Sequence, residues 1–167
     1  EEFVSASELL GYCNSAIDEA EAEIHGIYAD YFLSSATMDI VSGTTSYTLP
    51  VDIYASKIRS VLYLNNDDIY PIKKYKNSNL DKFYQLEVDR LATDDNYRYI
   101  LMNRDYTGVT LDLVPTPRIS LTNGMKLYYL RNANRMIDDT SVCDIPEFVD
   151  FVMQYMKARC YEKEGHE

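Results

Sequence analysis

The chain has no Trp, only two His, three Cys and six Gly, and no Lys or Arg before Lys57. Each shortage excludes something. Two His, at 25 and 166, leave no His-based metal cluster, and a Ser-His-Asp arrangement would have to recruit His25 without any GxSxG elbow. His25 lies between Ile24 and Gly26 in a helical pattern and is expected on a solvated helix surface; His166 falls at the ragged end. Six glycines supply neither a GxGxxG nor a GKS/T phosphate loop. Cys13, Cys143 and Cys160 are odd in number and lack CxxC spacing, so free thiols in a reducing compartment are expected. No secretory signal, N-glycosylation sequon or apolar run of ~18 residues occurs, and no membrane span is expected.

The missing early bases make the charge uneven. Ten acids and no base precede Lys57, whereas the other 17 acids share the rest of the chain with all 16 bases. The net charge of -11 therefore belongs to the N-terminal third. Ordinary nucleic-acid binding uses a basic footprint, which this balance opposes. In isolation such acids read as one solvated helix face.

Tyr is what the chain has in excess: 16 of its 167 residues, beside five Phe. An apolar body with a wet tip suits both half-buried strands and protein interfaces, and both readings stand. The length fits one domain with a real core. The start at Glu1 rather than Met, and the charged EKEGHE end, lead us to expect a portion of something longer.

Periodicity orders the elements. Residues 7 to 33 predict a helix, with Leu9, Leu10, Cys13, Ile17, Ala20, Ile24, Ile27, Tyr28, Tyr31 and Phe32 at three- and four-residue spacing and Ser7 as its cap. Gly26 interrupts it at ~1 kcal/mol relative to Ala. TMDIV and SYTL flank SGTT and predict a hairpin centred on Gly43. IRSVLYL (58 to 64) reads as a strand, NNDD as a turn, and IYPIKKY as an edge or bulged strand because of Pro71. A short helix is predicted over 78 to 92, and YRYILMN with GVTLDLV (97 to 114) predicts a second hairpin that PTP ends. TNG (122 to 124) is expected to turn the chain into MKLYYLR. Asp144 should cap a final helix over 145 to 163, with Pro146 in its first turn and Glu147 completing a capping box. The expected fold class is α+β: N- and C-terminal helices packed together, an inserted antiparallel β region over 37 to 131, and one short helix, all in a single domain.

Signs of chemistry are sparse. Asp67 with Asp68, Asp94 with Asp95, and Asp138 with Asp139 adjoin loop-forming residues, and without EF-hand spacing they read as loops. Lys73, Lys74 and Lys76 interleave with Tyr70 and Tyr75; they suit an acidic or nucleic-acid surface, or guard a solvated edge strand. No cofactor, metal or catalytic residue is expected, and the chain reads as a non-enzyme.

Five landmarks in order carry a resemblance. They are Tyr47, Leu49, Pro50 and Asp52 in SYTLPVD; Pro115 and Pro117 in VPTP; the Tyr-rich KLYYLR; Ile145, Pro146, Glu147 and Phe148 in IPEF; and Tyr155, Ala158, Arg159, Tyr161 and Glu162 in the last helix. Over residues 34 to 164 this order resembles the head-tail adaptor (connector) proteins of tailed bacteriophages. TDDNYRY departs from the family's Gly-rich lead into the second hairpin, and the first helix is more acidic than the family requires.

The resemblance implies a structural protein of the virion, made in the host bacterial cytoplasm. It implies a homo-oligomeric ring of about twelve copies, which closes through heterologous contacts. Its partners would be the portal protein and other tail or head-closure proteins, with double-stranded DNA passing through unbound. On that reading Phe148, Phe151, Met153, Tyr155, Met156 and Tyr161 are candidates for the portal or neighbour interface. Glu19, Glu21 and Glu23 are candidates to face the channel, where acid repels DNA. A tail-completion or terminator ring and a monomeric β-rich ligand-binding module remain alternatives.

Overall fold

A computed structural model describes residues 4–66, 68–75, 96–103, 108–138 and 140–165. The helix expected over 78 to 92 lies outside the described residues. Backbone contacts divide the chain into two units: Glu1–Phe32 with Asn132–Glu167, and Leu33–Arg131. The secondary structure is mixed, with two α-helices in the first unit and two sheets in the second.

The helical unit begins with α1, Ala6–Ile27. Its cap is Ser5, two residues before the expected Ser7, in a reciprocal capping box with Glu8. Expected to run to 33, α1 stops where the Tyr28 N–H closes on the Ile24 carbonyl. Tyr31 and Phe32 keep the helical spacing, but Phe32 folds back with its ring 5.1 Å from that of His25. Periodicity alone cannot separate one more helical turn from a chain that returns over the same face. The buried stripe of Ala16, Ile17, Ala20 and Ile24 shares one core with Phe32, Ile145 and Val152. Val152 belongs to α2, Val149–Glu164.

A single 3-10 turn, Pro146–Phe148, precedes α2, so the helix starts later than expected. Asp144 does not cap it. Its carboxylate instead accepts from the Asn134 N–H at 2.8 Å, which closes the loop after the sheets. Glu147 accepts from the Tyr31 hydroxyl rather than completing a capping box. Both carboxylates found partners distant in sequence, which a local motif does not register.

The strand unit contains β1 (Leu33–Ile40), β2 (Ser46–Thr48), β3 (Ile53–Asn65), β4 (Asp68–Pro71), β5 (Lys73–Lys74), β6 (Arg98–Asn103), β7 (Val109–Val114) and β8 (Leu121–Arg131). One sheet has the order β1-β8-β3-β4 and the other β2-β7-β6-β5. Pairing is antiparallel except between β5 and β6. The 97 to 114 hairpin forms as expected, from Arg98 opposite Val114 to Asn103 opposite Val109. Pro71 ends β4 on a sheet edge, where its missing N–H costs no ladder bond.

Two expectations are corrected. The runs flanking Gly43 do not pair with each other: β1 joins β8 and β2 joins β7, in different sheets. Gly43, with φ of 79°, still makes the turn, but its N–H donates to the Pro117 carbonyl at 2.8 Å. TNG is not a turn between elements but a bulge within β8, where Asn123 has φ of 53° and the ladder to β1 slips.

Alternation along the strands builds the core of this unit. Val61 and Tyr63 of β3, Met125, Leu127 and Tyr129 of β8, and Leu111 and Leu113 of β7 are all buried in it. Tyr63 stacks on Tyr97 with centroids 5.0 Å apart. Such aromatic pairs add about 0.5–1.5 kcal/mol beyond the area they bury.

Candidate functional site

The corner SYTLPVD is anchored on both flanks of Val51, which stands exposed. Tyr47 is buried at the start of the second sheet, and its hydroxyl donates to the Thr44 carbonyl (2.9 Å) and accepts from the Val41 N–H (3.3 Å). Leu49 is buried, and the Ile53 N–H closes a turn on the Pro50 carbonyl at 3.2 Å. Asp52 accepts from the Tyr129 hydroxyl at 2.9 and 3.2 Å. Burial first, then this carboxylate, pushes the Tyr129 hydroxyl above its ordinary value. The second landmark meets the first: besides the Gly43–Pro117 bond, the Ser42 hydroxyl donates to the Arg118 carbonyl at 2.9 Å. Contacts between residues 74 and 76 positions apart thus brace one end of the strand unit as scaffold.

The apolar surface of the helical unit is different in kind. Of α2 only Val152 is buried. Phe148, Tyr155 and Met156 pack partly against the core, while Phe151 (42%), Met153 (47%) and Tyr161 (70%) stand in solvent. The last helix is therefore less amphipathic than its spacing suggested. Arg159 spans its outer face, donating to Glu162 and to the Tyr155 hydroxyl, each at 2.9 Å. These two bonds, that to Tyr155 before that to Glu162, raise the pKa of its guanidinium.

Two apolar concavities open on this unit. One, of about 530 Å³, is lined by Leu9, Leu10, Cys13, Met136, Met153 and Met156 among others. The other, of about 260 Å³, is lined by Ile24, Ile27, Phe148 and Phe151, with Glu19 and Glu23 at its rim. Neither was legible in the sequence, because each needs residues over a hundred positions apart to converge.

The three candidate channel acids do not share a face. Glu19 and Glu23 are exposed, but Glu21 is buried and accepts from the Ala133 N–H at 2.6 Å. Arg135 lies 3.6 Å from Glu21 and also pairs with Asp18. Glu21 thus ties the chain returning from the sheets to α1 and cannot face a channel. His25 is corrected too: it is buried, 3.9 Å from Glu21 and under Phe32, not on a solvated surface. The signal missed was the i,i+4 spacing of Glu21 and His25 on the apolar stripe.

Lys73 and Lys74 stand exposed on the edge strand β5; Lys76 lies outside the described residues, as does His166. Asp138 accepts from the Thr140 N–H and hydroxyl and from the Ser141 hydroxyl, at 2.8 to 3.0 Å, and these bonds lower its pKa. That is loop chemistry. Asp67, Asp94, Asp95 and Asp139 lie outside the described residues. Among the described residues, no group of three or more His, Cys, Asp or Glu could hold a metal, and no helix is long and apolar enough to cross a membrane. All three cysteines are free thiols; burial raises the pKa of Cys13, with Cys143 adding to the shift.

A protein-family model described as SU10 adaptor protein matches residues 5–167. No curated protein matches the chain.

Proposed function

We propose that this chain, which belongs to the SU10 adaptor protein family, is a ring-forming head-tail adaptor that docks on the portal and leaves a channel for DNA. Membership makes it a phage adaptor: a structural component of the virion that interacts with other head or tail proteins. Ring, portal and channel are the finer steps of our reading.

One observation carries these steps. The first two landmarks, around Pro50 and Pro117, brace the strand unit from within, while Phe151, Met153 and Tyr161 of α2 are presented to solvent. A braced scaffold with aromatic and thioether side chains outside is built for protein contact. The net charge of -11 suits a lumen through which DNA slides without being held.

The test is to mix the purified chain with the phage's portal protein, measure the mass of the complex and image it. A ring of many copies on the portal is expected. A chain that stays monomeric with and without portal, or that copurifies with tail tube instead, overturns the reading.

A further inference from the structure

We propose that neighbouring copies join head to tail by seating the Pro50–Val51 corner of one copy in the Glu19/Glu23-rimmed pocket of the next. This rests on the ring-forming reading above and names the two surfaces that meet. The occupant of the pocket is thus a second copy of this chain.

The corner is a preorganised knob. Val51 is fully exposed at its tip (101%). Leu49 is buried behind it, and Asp52 is locked to Tyr129 beside it. The turn needs no ordering to bind, and that lowers the cost of association. On the other surface, Ile24, Ile27, Phe148 and Phe151 form a concavity of about 260 Å³ with an exposed carboxylate on either side of one helical turn.

Charge selects the pairing. α1 carries acids and no Lys or Arg, so its pocket repels a second α1. Bases begin just past the corner. Between Ile53 opposite Arg131 and Ile58 opposite Tyr129 the ladder slips, and Ala55 and Ser56 take φ of 46° and 55°. That bulge presents Lys57, exposed, with its ammonium 4.8 Å from the Tyr54 ring centre. An apolar tip with a cation beside it complements an apolar pocket with acids at its rim. Knob and pocket are different surfaces, so the contact is heterologous and propagates around a ring. It also reassigns Glu19 and Glu23 from the channel wall to the subunit interface, since an apolar pocket between them suits protein better than passing DNA.

The test uses the full chain with its portal and reads ring yield by mass measurement. Glu23→Lys and Lys57→Glu should each cut ring yield about tenfold, and the double variant should restore it to within about threefold of wild type. Both sites are exposed, so thermal melts should be unchanged. As an independent check, a photo-cross-linking residue at position 51 should label a peptide containing Phe148 or Phe151 of a second copy. Unchanged yield in the single variants, or no restoration in the double, overturns the proposal while the ring reading stands. So does a cross-link to portal, or normal rings with altered DNA passage, which would return the acids to the channel. Absence of rings from wild type overturns the ring reading itself.

Discussion

Among the described glycines, Gly124 has the least room for a side chain. A Cβ built there would lie 2.6 Å from the Leu121 Cβ and 3.3 Å from the Ile40 Cδ1. Both are fixed by packing: Gly124 follows the bulge residue Asn123, whose N–H donates to Asp39 at 2.7 Å. Gly124→Ala should therefore lower stability by about 1–3 kcal/mol, measured by denaturant unfolding, because the clash is with a Cβ and cannot be relieved by rotation alone. Gly26 lies at the opposite extreme: nothing stands within 4 Å of its added Cβ, and it sits near the end of α1. The sequence presents each as a single glycine beside one polar and one apolar residue. The β8 bulge that turns Leu121 back on Gly124, and the Ile40 side chain brought in by β1, distinguish them. The corner shows the same division. That Pro50 biases Leu49 toward extended geometry follows from local chemistry, whereas the partner of Asp52, Tyr129, stands 77 residues away.

Among the elements, the two helices are joined by charge as well as by core. Lys163, near the end of α2, donates to Glu8 in the first turn of α1 at 2.8 Å. That bond, then those to Ser5, lowers the Glu8 pKa from 4.5 to about 2. The folded-state value lies below the unfolded one, so the stabilisation is present above about pH 4.5 and lost as pH falls toward about 2. Glu8 is only partly buried at the surface, so the effect is small and screened by salt. Glu8→Gln preserves the capping geometry and removes the charge. Its melting temperature should lie below that of wild type at neutral pH and converge with it as pH falls through that window. A gap that persists at low pH would assign the loss to the cap. Element identities were largely legible: β3, the 97 to 114 hairpin and most of α1 follow their periodicities. Pairing was less so. β1 and β2 read as a hairpin because a Gly turn joins two β-prone runs, yet their partners, β8 and β7, come from much later in the chain.

For the whole molecule, the helical unit draws on both ends of the chain, with Leu33–Arg131 inserted between them. The candidate interface on α2 then makes a prediction separate from the subunit contact. Met153→Asp combined with Tyr161→Ser should weaken portal association about tenfold, by the usual cost of losing exposed anchors at an interface. Thermal melting should be unchanged, since neither side chain is buried. Equal portal affinity in a folded variant would remove α2 from the portal interface.

Several properties were determined by the sequence by itself. Acids without bases before Lys57 and the shortage of His and Gly weighed against nucleic-acid binding and catalysis, and the order of the Pro-marked landmarks carried the resemblance to an adaptor. Composition and motif order do not depend on what lies across the fold. Which acids are exposed, which aromatics remain in solvent, and where apolar pockets open were decided only by the tertiary structure. Glu21 and Glu23 differ by two positions on one helix, and one holds the Ala133 N–H while the other rims a pocket. A helix places them on different faces, but only the chain returning from β8 makes one of those faces the inside.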